Sequence, residues 1–124
     1  MKHLANYFKI MLLDDFQSFD GTSLIGTSDQ ELIVCTNDLI FDEPPKSGDH
    51  GTIYEQSLRA VSGKLTTAQR AKYVDRRPVV VLLYDDEGIP YLWGNGSQKL
   101  RISINPKPDN DVIELTCMAL SPIF

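Results

Sequence analysis

Three consecutive carboxylates, Asp85-Asp86-Glu87, are the densest set of hard oxygen ligands in the chain, and Asp14-Asp15 could join them if the first strand pairs nearby. A calcium loop needs oxygen donors at alternate positions, closed by a distant Glu. Here Gly88 and an apolar stretch follow instead, so the pattern predicts a solvated hairpin turn and no metal. His3 and His50 are the only imidazoles, and neither has a partner ligand at i+3 or i+4. His50 could approach Cys35 in space, yet nothing in the sequence orients it, so nucleophile-and-base chemistry lacks a fixed base. The glycines of Trp93-Gly94-Asn95-Gly96-Ser97 resemble a phosphate cradle, which requires a helix N-terminus directly after it. An alternating apolar and polar segment, Gln98 to Ile104, follows, and the turn reading prevails. The expectation is a protein with no catalytic, metal-binding or cofactor-binding residues, and hence no enzyme.

Charge is the remaining chemical signal. The 124-residue chain carries 12 basic and 17 acidic side chains, a net charge of −5. That balance repels phosphate backbones and anionic membrane surfaces, so neither nucleic acid nor membrane is an expected partner. The charge is unevenly placed: residues 1–62 hold 4 basic and 10 acidic side chains, residues 63–124 hold 8 and 7. Arg70, Lys72, Arg76 and Arg77 fall in or beside a helical segment and form a candidate docking surface, whose bland alternative is a solvated helix face. Asp42, Glu43 and Asp49 mark a candidate partner-facing loop, because the stretch from Asn37 to Gly51 contains two prolines and two glycines. Opposite charges on separate surfaces suit a head-to-tail contact between copies.

These residues must be carried by a small scaffold. The length and a 42% hydrophobic content fit one domain spanning residues 1–124. No apolar run reaches the roughly 18 residues of a membrane helix, and the first residues are too polar for a signal peptide, so a soluble intracellular protein is expected. Cys35 and Cys117 lack CxxC spacing and read as buried free thiols, with a single bridge as the alternative. Residues 7–19 alternate apolar side chains and predict a strand, bulged near Asp14, with a helix as the alternative because Phe8, Met11, Leu12 and Phe16 also share a helical face. Leu32 to Thr36 is strand-like, and Thr52 to Val61 shows Tyr54, Leu58 and Ala60 on one face, the pattern of a half-buried strand.

After Gly63, Thr66 or Thr67 can cap a principal helix over 66–76, with Leu65, Ala68, Ala71 and Val74 on its inner side. Val79-Val80-Val81-Leu82-Leu83-Tyr84 is a continuous β-branched and apolar run, the mark of a central strand covered on both faces. Ile89 to Trp93, Leu100 to Ile104 and Ile113 to Ala119 alternate between turn signals. The fold class expected is α+β: mainly antiparallel β-sheet, with a C-terminal four-strand meander and one principal helix. Val80, Leu82, Leu100, Ile102, Leu115 and Cys117 are the expected core.

The order of elements from Gly51-Thr52-Ile53-Tyr54-Glu55-Gln56-Ser57-Leu58 through Arg77-Pro78-Val79-Val80-Val81-Leu82-Leu83-Tyr84-Asp85-Asp86-Glu87-Gly88 to Tyr91-Leu92-Trp93-Gly94 resembles small structural proteins of bacteriophages and prophages. The resemblance covers about residues 51–124. It implies a non-enzymatic virion assembly subunit of tail, tail-completion or head-tail joining type, with other virion proteins or itself as partner. The location implied is the bacterial host cytoplasm or the virion. No site residue follows from it. The alternative is a small intracellular β module holding a ligand or peptide.

Overall fold

The computed structural model describes residues 4–49, 51–73 and 76–124. His3, His50 and Val74 lie outside the described residues. Among the described residues the fold is mainly antiparallel β, with eleven strands and one short helix: β1 Leu4–Leu12, β2 Phe16–Phe19, β3 Leu24–Gly26, β4 Glu31–Val34, β5 Ile40–Asp42, β6 Pro45–Gly48, β7 Gly51–Ser62, α1 Thr67–Lys72, β8 Pro78–Asp85, β9 Pro90–Trp93, β10 Leu100–Pro106 and β11 Asp111–Ala119.

The main sheet runs β4-β1-β8-β10-β11-β7-β5, with β6 on β7 and β9 on β8. Two residues after β4 then close it. The Cys35 N–H bonds Asn6 O on the β1 side, and the Thr36 N–H bonds Val61 O on the β7 side. Cys35 also stands in a bridge with Ser62. The first strand of the order is thereby tied to the β7 end, and the sheet rolls into a barrel. In-register pairs such as Phe8–Leu83, Ile33–Phe8, Ile102–Leu115, Ile113–Ala60 and Leu58–Phe41 place one apolar face inside. These residues, with Val79, Val81 and Leu100, form one buried cluster.

The outer face of β8 is buried as well. Val80, Leu82 and Tyr84, with Met11 of β1, pack beneath the β2–β3 hairpin, whose Leu24, Phe16 and Phe19 complete a second cluster. The run Val79 to Leu83 is fully buried, as its composition predicts. Val80, Leu82, Leu100, Ile102, Leu115 and Cys117 are each at most 5% exposed. Both cysteines are buried free thiols, and burial pushes Cys35 up to about 11.

Four expectations need correction. The strand over residues 7–19 is not continuous: the chain turns at residues 13–15, where Asp15 N–H bonds Leu12 O, and β2 pairs with β3 instead. Residues 37–51 are not a structureless loop, because β5 and β6 both pair with β7. The helix is only Thr67–Lys72, capped by Thr66 in a reciprocal box with Gln69. None of its residues is buried, Ala68 and Ala71 included; the anchor is Tyr73, 1% exposed and donating its hydroxyl hydrogen bond to Glu31. Finally, the last four strands are consecutive but do not form a meander. β9 pairs with Val81 to Tyr84 and β10 with Pro78 and Val79, so both lie along one edge of β8 and not against each other. Gly94 makes this passage possible, with a φ of +95° and an ideal Cβ that would stand 2.8 Å from Val79 O.

Candidate functional site

An open groove of about 1000 Å³ lies on the side of the sheet formed by β10, β11, β7 and β5. Its floor follows from strand register. Arg101 opposes Thr116, Thr116 opposes Ser57 and Ser57 opposes Asp42, one outward row across four strands. Three inter-strand steps separate the ends of that row, roughly 14 Å along the sheet. In the next row Met118 opposes Glu55, and Lys99 sits two residues before Arg101.

The two walls carry opposite charge. Arg76, Lys99 and Arg101 line one side, while Asp42, Glu43 and Glu55 line the other. Arg101 Nη1 donates to Arg76 O at 3.0 Å, which fixes the guanidinium beside the basic wall without neutralising it. Arg76 has a φ of 56°, a left-handed conformation uncommon for a side chain with a Cβ. On the acidic wall Glu55 meets Lys46 at 3.5 Å, an exposed pair.

The sequence-derived residues divide accordingly. Arg76, Asp42 and Glu43 come together in this one groove, where the sequence had set basic and acidic groups on separate surfaces. Arg70 and Lys72 are drawn elsewhere: Arg70 Nε lies 3.6 Å from Asp111 and Lys72 Nζ 3.5 Å from Glu31. Arg77 is exposed and donates from Nη1 to Lys72 O. Asp49 is exposed beside β6 and outside the groove lining. Glu43 is turned inward. Its carboxylate accepts hydrogen bonds from Ile123 N at 2.8 Å, Phe124 N at 2.9 Å and Gln56 Nε2 at 3.1 Å. Lys99, Arg101 and Glu55 escaped the sequence reading because strand alternation reads them as ordinary outward residues; only register reveals that they face a common floor.

Behind Glu43 lies an aromatic slot. Phe124 packs edge-on against Phe41 at 5.2 Å between ring centroids, and against Tyr91 at 4.9 Å. Phe41 in turn meets Trp93 at 5.1 Å, and Trp93 Nε1 donates to Gln56 Oε1 at 2.8 Å. Gln56 is therefore satisfied on both sides of its amide, which explains a glutamine only 3% exposed.

Two further acidic groups, Asp85 and Asp111, are structural. Asp85 is buried rather than solvated, and its Oδ1 accepts Glu87 N and Ile89 N, which shapes the turn into β9. Asp111 is completely buried. Burial by itself raises its pKa, but the Leu65 N–H, Lys64 and Arg70 outweigh that and hold it below the usual 3.8. Among the described residues no three His, Cys, Asp or Glu side chains converge as metal ligands, and no helix is long and apolar enough to cross a membrane. No family model matches the chain, nor does any curated protein or solved structure.

Proposed function

We propose that the protein is a non-enzymatic assembly subunit that docks a partner's charged segment in the groove between the two walls. The observation that carries this reading is the convergence of Arg76, Lys99 and Arg101 opposite Asp42 and Glu55 over one hydroxyl-rich floor. Complementary charge sets encounter rate and register more than raw affinity. Such a groove suits a subunit that is held weakly when free and tightly when neighbours add apolar contact. Exposed Leu32, Val34, Leu92 and Met118 offer that contact. The sequence pattern over residues 51–124 supports a virion role of tail or head-tail joining type, in a prophage setting, with other virion proteins or a second copy as partner. The subunit would then reside in the host cytoplasm or the particle.

The same groove also supports a second reading, a module that holds a ligand or peptide, because its volume falls at the upper end of small-molecule sites. Reversing Lys99 and Arg101 to Glu separates the two when the variant is co-produced with the genes that flank its own. The assembly reading expects incorporation into particles to fall by at least tenfold while the melting transition is retained. Unimpaired incorporation would overturn it, and a stoichiometric metabolite in native mass spectrometry would establish the module instead.

A further inference from the structure

The segment Ser121–Phe124 is attached differently from every strand. Its hydrogen bonds run to side chains and not to a neighbouring strand: two N–H groups to Glu43, and Ser121 O to Gln56 Nε2 at a long 3.5 Å. Ile123 and Phe124 are only partly buried against the core. The tether before them is exposed, with Leu120 at 69%, and Pro122 can donate no backbone hydrogen bond. The receptor, by contrast, is built into the sheet. Phe41 lies on β5, Tyr91 on β9, and Glu43 directly follows β5.

A rigid receptor filled by a weakly tethered segment of the same chain can be filled identically by another copy, since every contact is reproduced. We infer that the slot of Glu43, Phe41 and Tyr91 is an acceptor for the Ile123–Phe124 segment of a second copy, the chain's own segment being the resting occupant. The carboxylate selects two successive backbone N–H groups of an extended segment, and the two rings select the aromatic side chain that follows them. A short exposed tether gives its own segment an effective concentration in the millimolar range. Exchange is therefore suppressed in dilute solution and favoured where copies are crowded together. This inference stands on the contacts of the Ile123–Phe124 segment and does not require the charged groove.

The test is a Phe124→p-benzoylphenylalanine chain, prepared as an equal mixture of light and heavy nitrogen isotopes and irradiated at two concentrations. At about 10 µM the crosslinks to Phe41 or Tyr91 should fall within one chain, and at about 1 mM mixed-isotope crosslinks to the same residues should appear. Crosslinks confined to single chains at both concentrations would overturn exchange. A second measurement uses a fluorescein-labelled peptide of residues 118–124. It should bind the Phe124→Ala chain at least tenfold more tightly than the wild type, whose slot is already filled, and a peptide with Phe124→Ala should not bind. Equal binding to both chains, or no saturable binding to the vacated slot, would refute the assignment.

Discussion

Asp111 and Glu43 perform related work at two points along β7, Asp111 opposite its last residue Ser62 and Glu43 beside Gln56 at its middle, each holding a segment that arrives from elsewhere in the chain. At the β11 start, Asp111 accepts Leu65 N at 2.8 Å and meets Lys64 at 2.9 Å, so the chain entering α1 is fastened by one carboxylate and two cations. At mid-strand Glu43 fastens the Ile123–Phe124 segment, and its donors among the described residues are neutral, two backbone amides and the Gln56 amide. Asp111 is inaccessible to solvent, whereas Glu43 lines an open groove. The difference teaches that a buried acid with cationic partners makes a permanent joint. An accessible acid with neutral partners leaves less charge stranded when its bonds are exchanged for water.

Breaking the permanent joint should cost most. Asp111→Ala strands the Leu65 N–H and removes the counter-charge of Lys64 and Arg70, and the expected loss is about 3 kcal/mol, the low end for a buried pair because both cations reach water. Reversible urea denaturation checks it; a loss under about 1 kcal/mol would place the two carboxylates in the same class.

The pH dependence sharpens the same contrast. Since the Asp111 pKa is lowered in the folded protein, it favours the fold above its ordinary 3.8 and that contribution disappears as pH falls through the lower folded value. Wild-type stability should thus drop more steeply below about pH 4 than that of Asp111→Asn, measured by denaturation across pH 3 to 6. Parallel profiles would show that the carboxylate is not the group being titrated.

The Ile123–Phe124 segment should yield smaller effects. Phe124→Ala removes a ring that is only partly buried and should cost about 1–2 kcal/mol, with a change in the fluorescence of the neighbouring Trp93. Glu43→Gln keeps one carbonyl acceptor and loses the charge, for an expected cost of about 1 kcal/mol in the same denaturation assay. A larger loss from Glu43→Gln than from Asp111→Ala would invert the comparison and make that segment a structural joint.

The sequence made the C-terminal strands legible because each carries its own local signal. The β-branched run at Val79 announces a strand covered on both faces, and the alternation from Leu100 to Ile104 announces one covered on a single face. The cap was legible to within one residue, Thr66 or Thr67, and the structure selects Thr66 because it alone stands three residues before Gln69 for the reciprocal bond. The length of the helix was not. Of its apparent apolar side only Ala68 and Ala71 fall within the helix, where their small area secures little packing, and Tyr73 diverts the chain inward one residue after the helix ends.

What the sequence by itself determined is a mainly β protein with its core, its turns and its free buried thiols, all properties fixed by neighbours along the chain. What only the tertiary structure decided is how distant segments meet. Closure of the barrel depends on single residues, Cys35 and Thr36, which bond to opposite neighbours. The placing of β9 and β10 on one edge of β8 rests on a glycine at a close approach. The convergence of Asp42 with Arg76 and Arg101 depends on register across four strands. Local periodicity tells which face a side chain takes, but not which strand lies beside it, because pairing is settled by the total burial that one closed sheet achieves.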